Sequence, residues 1–490
     1  MTVTRSSTTA TQRTLELPAA GTRAWPDLAR IGRLTAAALG YLSLVAIVGT
    51  SLALVLAAAE RHSFLSPPSH VGFPRWMSGP LAGLLPGLTH HGHALKVEFT
   101  VAVAGAFVLY LVVLASVRFL RAWPVLAAIG AVHVIFFLSP PLLLTDIFNY
   151  INYARMGAVH GLNPYVHVPV LVSQDAAYRF TTWHHLRSPY GPLFTLGTYA
   201  LAPFPLSVAY WVYKLSVMCA SLGCIALVWK CARLLGRSPT AAVAFVGLNP
   251  FFLVYGLGGQ HNDVFMMLLV LTGVYLMLRR REEIGGAAFA AAIAVKASAG
   301  VLLPVVLLGA RSRLRAIAGA VGAIAVLGLV SLAVFGPHLP NDASQSKLVV
   351  PFGLTNDLGL ALGLGGVTAK LRLILQIVLA AGVVTASVYA WLMRGRQRET
   401  PAWLPAAAAV SLLLVLTLTW VMPWYVFWVL PLAALLRAPW FRMATIVFGI
   451  SLLVIWTPLG QDFNHNVLHL HPTRTAVGKQ NHAYLHRLLK

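Results

Sequence analysis

Val125-Leu126-Ala127-Ala128-Ile129-Gly130-Ala131-Val132-His133-Val134-Ile135-Phe136-Phe137-Leu138-Ser139-Pro140-Pro141-Leu142-Leu143-Leu144 runs directly into Thr145-Asp146-Ile147-Phe148-Asn149-Tyr150. Twenty apolar residues are enough to cross a bilayer as a helix. The residues that follow change character at once: from 146 to 191 the chain is polar and aromatic. Asp146 is one of only 13 acidic residues in 490. A carboxylate at the rim of a membrane span is expensive unless it is paired, wet or functional.

Composition makes this stretch one of many. Hydrophobic residues make up 58% of the chain and charged residues only 10%, against roughly 25% charged in a soluble domain. So few charges cannot solvate a globule of this length. The fold class is therefore an all-α polytopic membrane protein, a bundle of about 11–13 spans with short re-entrant helices and a large external loop after the third span.

The net charge of +23 suggests nucleic acid until the charges are placed. They cluster in short loops between spans: Arg118 and Arg121; Lys230, Arg233 and Arg237; Arg279–Arg281; Arg311, Arg313 and Arg315; Arg394, Arg396 and Arg398; Arg437 and Arg442. Basic short loops lie on the cytoplasmic side, and no nucleic-acid partner is expected. The N-terminal Arg5, Arg13, Arg23, Arg30 and Arg33 put that end inside too. Residues 1–33 read as a disordered cytoplasmic tail. Cys219, Cys224 and Cys231 share one span without CxxC spacing and read as buried apolar thiols.

The basic loops fix the path. Spans are expected at Leu34–Ala59, Val97–Val117, Pro124–Leu144, Leu206–Val228, Ala241–Leu257, Val264–Leu278, Ala316–Phe335, Leu371–Met393, Leu404–Val421, Val426–Leu436 and Met443–Trp456. Residues 284–310 are flanked by basic clusters and are long enough only for a broken or re-entrant pair, with Lys296 in its middle. Residues 34–458 form a single transmembrane domain, 144–191 and 337–366 are external loops, and 459–490 is an external, solvated tail. Trp76-Met77 is expected on a short interfacial helix, and Asp146–Val159 on an amphipathic helix lying along the membrane. This topology brings Asp146, Asp263 and Trp424-Tyr425 to one side, although only the basic loops were used to draw it.

Each polar motif has two readings. Asp146 is either a helix N-cap or a general base, with Asn149 and Tyr150 one turn later on its face. Asn163-Pro164-Tyr165 and Ser188-Pro189-Tyr190-Gly191-Pro192 are either turns or sugar contacts through tyrosine faces and hydroxyls. Arg187 is a candidate for a lipid phosphate. Gly258-Gly259-Gln260-His261-Asn262-Asp263 combines close backbone approach with three polar side chains, His261, Asn262 and Asp263. Two metal-type ligands are too few to claim a metal site, so no cofactor is assigned, and a divalent metal stays open. Lys296 either snorkels or meets a phosphate. Trp424, Tyr425 and Trp428 are an interfacial belt or part of a site.

Taken in order, these motifs carry a resemblance. Asp146-Ile147-Phe148-Asn149-Tyr150, Gly161-Leu162-Asn163-Pro164-Tyr165, Ser188-Pro189-Tyr190-Gly191-Pro192-Leu193, Leu248-Asn249-Pro250, Gly258-Gly259 with His261-Asn262-Asp263, Val295-Lys296-Ala297 and Pro423-Trp424-Tyr425 occur over roughly residues 35–460. The chain resembles the actinobacterial polyprenyl-phosphate-mannose-dependent α-1,6-mannosyltransferases of the GT-C superfamily of membrane glycosyltransferases. The resemblance implies a GT-C-like bundle in the plasma membrane and a polyprenyl-phosphate sugar donor. It implies a glycolipid or mannan acceptor, of the lipomannan type, and inverting hexosyl transfer on the external face. Asp146 would be the catalytic base. Tyr150, Asn163, Tyr165, Arg187, Tyr190, His261, Asn262, Asp263, Lys296, Trp424 and Tyr425 would bind substrate. Membrane lipid surrounds the whole. The rival class is a multi-pass transporter or flippase with a site on broken helices. The short external tail carries no appended carbohydrate-binding domain, which bears on the handling of a long glycan.

Overall fold

The computed structural model describes residues 24–60, 63–66, 74–85, 92–340, 342–396 and 399–489. The expected disorder of residues 1–33 falls largely on residues outside these. Among the described residues the chain is helical throughout and forms no strand beyond one isolated bridge, Ser63 to Ser66. Lipid offers the backbone no hydrogen-bond partners, so a spanning segment satisfies itself as a helix.

In chain order the helices are α1 (Ala24–Glu60), α2 (Arg75–Ser78), α3 (His93–Ser116), α4 (Ala122–Leu138), α5 (Asp146–Ala158), α6 (Pro192–Thr198) and α7 (Leu206–Leu234). Next come α8 (Pro239–Gly247), α9 (Asp263–Leu278), α10 (Glu282–Val295), α11 (Leu303–Gly309), α12 (Arg313–Phe335), α13 (Asp342–Gln345) and α14 (Leu354–Ala361). The last are α15 (Ala369–Met393), α16 (Trp403–Thr417), α17 (Val426–Ala434), α18 (Pro439–Trp456), α19 (Pro458–Asn466) and α20 (Ala476–Leu489). Six segments are long and apolar enough to cross a membrane: Arg30–Glu60, His93–Phe119, Leu206–Leu234, Arg313–Phe335, Ala369–Met393 and Pro439–Trp456. Five further apolar helices are shorter.

The short helices result from local chemistry. Asn249 and Pro250 interrupt the expected Ala241–Leu257 span: α8 stops, and the Asn249 Oδ1 accepts the Phe251 and Phe252 N–H groups at 3.1 and 3.2 Å. The chain resumes as a wide π turn over Phe252–Leu257, a form that recurs at functional sites. The 284–310 pair is broken as expected. Helix α10 ends at Val295, Lys296 is extended (φ −153°, ψ 124°), and a 3-10 segment leads into α11.

Four expectations need correction. Helix α5 does not lie along a surface. Nine of its 13 residues are buried, because Phe148 packs among Trp76, Phe180 and Tyr210 and Tyr150 among Tyr190, Phe194 and Tyr213. The interfacial helix around Trp76 is a single turn, α2, with Met77 wholly buried. The tail beyond 458 is mostly solvent-accessible, as expected, but it is helical and tied to the rest: Leu459 N–H reaches the Thr100 Oγ1, and His185 N–H donates to the Leu488 carbonyl at 3.0 Å. Cys224 and Cys231 are buried, but Cys219 is exposed on the outer face of α7.

The far end of α5 is pinned. Arg155 Nε lies 2.9 Å from both Asp175 carboxylate oxygens, and His160 Nε2 lies 2.7 Å from one of them. Burial acts to raise the Asp175 pKa, but the Arg155 and His160 contacts outweigh it and hold the carboxyl below its ordinary value. A depressed folded-state pKa gives stability that is present above the unfolded pKa of about 3.9 and lost as pH falls through the folded one. Asp175→Asn leaves Arg155 without its buried partner. The expected cost is about 3–5 kcal/mol, read as a lower melting temperature at neutral pH and earlier tryptic cleavage at Arg179. The gap between variant and parent closes in acid. An unchanged melting curve at neutral pH would remove the pin.

Candidate active site

Asp146 is the first helical residue of α5, and Thr145 is its N-cap. The capping reading therefore does not hold, because the Asp146 carboxylate accepts from side chains. Asn149, one turn on, donates its Nδ2 to Oδ1 at 3.0 Å. The Asn149 Oδ1 accepts the Thr182 and Trp183 N–H groups, so this residue ties the carboxylate to the following loop. On the other side, His261 Nδ1 lies 3.2 Å from Oδ2. Burial pushes the Asp146 pKa up, but His261, Asn149 and the charge of Lys296 outweigh it and keep the carboxyl below the usual range. The group is thus ionised at neutral pH and still 16% exposed.

His261 is fixed by its own neighbours. Its ring stacks on Trp424 with centroids 3.4 Å apart. The motif before it folds tightly: Gln260 has φ 59°, a left-handed conformation that a non-glycine side chain adopts at a cost of order 1–3 kcal/mol. A Cβ on Gly258 would lie 2.4 Å from the Val254 carbonyl, and the Gly258 carbonyl accepts the Leu142 N–H at 3.0 Å. That bond joins the approach to Asp146 to the motif carrying His261.

Asp263 is the second carboxylate here, and its environment is different. It accepts from Lys296 Nζ at 2.7 Å, Trp424 Nε1 at 3.0 Å and Trp428 Nε1 at 2.7 Å. Three donors engage both oxygens of a side chain that is only 3% exposed. The Lys296 ammonium also sits over the Tyr425 and Trp428 rings, at 4.8 and 5.2 Å. Trp424, Tyr425 and Trp428 are buried, so they are not an interfacial belt. They are the walls and donors of this charge cluster.

The break at Lys296 is clamped from outside. Gly191 donates its N–H to the Val295 carbonyl at 3.0 Å, and a Cβ there would lie 2.2 Å from the Ala294 carbonyl. Beside the clamp lies a cavity of about 300 Å³, lined by Pro189, Lys296, Arg372, Tyr425 and Trp428 with Leu375, Leu379, Leu414 and Leu418. Its lining combines two cations with leucines.

The remaining residues singled out in the sequence divide. Tyr150 is close by: its hydroxyl accepts the Asn262 N–H at 3.4 Å, and its ring meets Tyr190 at 4.8 Å. The Asn262 and Asn152 amides and the Tyr213 hydroxyl are buried without partners, a state in which each polar atom keeps its desolvation penalty. Asn163 and Tyr165 are structural. Asn163 Nδ2 bonds the Phe335 carbonyl at 2.6 Å, and the Tyr165 hydroxyl bonds the Tyr190 carbonyl at 2.9 Å. Arg187 is exposed and does not line the cavity. Among the described residues, no three His, Cys, Asp or Glu side chains come together as a metal site.

Three residues of the site escaped the sequence reading of substrate contacts: Asn149, Trp428 and Arg372. Trp428 follows Trp424 by one helical turn, a spacing that signals a shared face. Arg372 shares the first turn of an otherwise apolar helix with Lys370, so its position alone does not single it out.

Comparison with known proteins gives the family. Residues 65–311 match the family described as Alpha-(1->6)-mannopyranosyltransferase, N-terminal domain, and residues 352–477 match an MptB C-terminal domain. The chain is 30% identical over 369 residues to Alpha-(1->6)-mannopyranosyltransferase A of Mycobacterium tuberculosis, covering 68% of this chain and 70% of that one. It is 27% identical over 397 residues to a second alpha-(1->6)-mannopyranosyltransferase of the same organism, covering 63% and 65%. A probable alpha-(1->6)-mannopyranosyltransferase of Mycolicibacterium smegmatis is 28% identical over 380 residues, covering 65% and 66%. No solved structure matches the chain significantly. These relatives make the chain a membrane glycosyltransferase, in keeping with its polytopic helical bundle. The chain belongs to the alpha-(1->6)-mannopyranosyltransferase family, and the transporter reading is set aside.

Proposed function

We propose that the protein transfers mannose from a polyprenyl-phosphate-mannose donor to a sugar hydroxyl of a glycolipid or mannan acceptor. The transfer inverts the anomeric centre and forms an α-1,6 linkage on the external face of the plasma membrane. The observation that carries this reading is the unequal state of the two carboxylates. Asp263 is buried with both oxygens engaged by three donors, whereas Asp146 keeps accessible surface and is oriented by Asn149 and His261.

In this reading the acceptor hydroxyl approaches Asp146. Its oxygen forms the new bond to C1 of mannose as the bond from C1 to the phosphate oxygen breaks. The hydroxyl proton passes to Asp146, and the polyprenyl phosphate leaves as a stable anion, so no strong acid is required. A β-linked donor attacked once from the opposite face gives an α product, which needs one base and no covalent intermediate. The cavity beside Lys296 suits the donor, with cations for phosphate and leucines for the chain. The external placement rests on the basic loops, which put Arg118–Arg121 and Arg279–Arg281 inside.

The test is donor use. Membranes containing the protein should consume radiolabelled polyprenyl-phosphate-mannose and produce label released by an α-1,6-specific mannanase. Transfer directly from a sugar nucleotide, with the lipid carrier depleted, would refute the reading.

A further inference from the structure

Two cations line the cavity beside Lys296, and they are not equivalent. Lys296 already has its counter-ion, with Asp263 2.7 Å away, so it brings little net charge to a ligand. Arg372, in the first turn of α15, lines the same cavity. Its Nη2 donates to the Lys347 carbonyl at 3.1 Å, and among the described residues no carboxylate pairs with it. Its Nε is buried without a partner. A buried guanidinium N–H without an acceptor is a costly state, and the fork of a guanidinium matches a phosphate in geometry as well as charge. Leu375 and Leu379 continue from Arg372 along the same face of α15, and Leu414 and Leu418 face the same cavity. A phosphate at the head of a long apolar chain fits this sequence of contacts.

We infer that Arg372 is the residue that binds the lipid phosphate of the donor, and that Lys296, neutralised by Asp263, shapes the site and does not supply its charge. This inference rests on the proposed use of a polyprenyl-phosphate donor. It replaces Lys296 and Arg187 as the expected phosphate ligands. Lys347, through its carbonyl, fixes the Arg372 fork from the loop at 337–366.

The test uses the full chain in nanodiscs. Arg372→Gln should raise KM for polyprenyl-phosphate-mannose about 10- to 100-fold, the effect of one charge-assisted hydrogen-bonded contact, with kcat changed far less. Arg372→Lys should recover part of the loss. On the unaltered protein, polyprenyl phosphate should shield Arg372 from phenylglyoxal, read by peptide mass spectrometry, so the inference stays testable if the Gln variant folds poorly. An unchanged KM in folded Arg372→Gln, or undiminished Arg372 reactivity with polyprenyl phosphate bound, overturns the assignment. If the unaltered protein neither binds polyprenyl phosphate nor uses the donor, the donor reading itself fails, and the assignment with it.

Discussion

Asp146→Asn is expected to lower the transfer rate about 100- to 10,000-fold, the usual contribution of a positioned general base. The substitution keeps volume and leaves an oxygen for Asn149 to bond, so α5 should hold its place. What is lost is a proton acceptor at the one partly exposed carboxylate of the cluster. Asp263 cannot substitute, because its oxygens already accept from Lys296, Trp424 and Trp428. Donor affinity should barely change, since the phosphate lies beside Arg372. Single-turnover transfer in nanodiscs, with polyprenyl-phosphate binding measured on the same sample, separates the two effects. A variant that transfers mannose at the parental rate would disqualify Asp146. The pH dependence has a definite sign. His261 and Asn149 hold the Asp146 carboxyl below its usual range, so the base stays ionised until pH falls below the ordinary carboxylate value of about 3.9. His261→Ala removes a group that lowers the pKa, and the acid limb of the profile should move toward neutral pH.

Asp263→Leu is expected to be the most destabilising single change in the bundle. It leaves the Lys296 ammonium buried without its counter-ion, which costs about 3–5 kcal/mol. It also strips two indole N–H groups of their acceptor, at about 1–3 kcal/mol each. Set against a typical total of about 5–15 kcal/mol, that is enough to prevent folding in many backgrounds. The double variant Asp263→Leu with Lys296→Met replaces the pair by apolar volume and should recover most of the loss, since such swaps are often neutral. Melting temperatures of the two single variants and the double variant form the cycle. Equal melting for Asp263→Leu and the parent would mean that the pair carries no structural weight.

Much of this arrangement was legible in the sequence. Basic loops alone put Asp146, Asp263 and Trp424 on one side of the membrane, and in the structure they are linked through His261 and Lys296. The break at Lys296 followed from length: residues 284–310 could hold only two short helices. Hydropathy could not reveal which polar side chains face substrate and which face backbone. Asn163 and Tyr165 sit in the same kind of motif as Tyr190, yet they bond carbonyls of Phe335 and Tyr190, 172 and 25 residues away. The burial of α5 was hidden for a related reason. Its Phe and Tyr residues point in every direction, and without a partner list an aromatic helix of 13 residues looks much like a surface one. The tail helices α19 and α20 carry many polar residues and no long apolar run, so only tertiary contacts reveal that they are tied to the rest. Arg372 stands beside Lys370 and nothing in the sequence singles it out; what separates it from Lys296 is the Lys296 counter-ion, Asp263, 33 residues from Lys296.

The clasp around Asp263 also sets a schedule for biogenesis. Its two indole donors lie 161 and 165 residues further along the chain. At translation speeds of roughly 5–20 residues per second, Trp424 leaves the ribosome on the order of ten to thirty seconds after Asp263. Lys296, 33 residues on, is made within the first part of that interval, and for the rest of it the growing chain holds a carboxylate with one of its three final donors and the other two not yet synthesised. Segments inserted earlier must therefore be sheltered from lipid until α17 arrives and closes the bundle. A nascent chain stalled before Val421 is a natural substrate for membrane quality control.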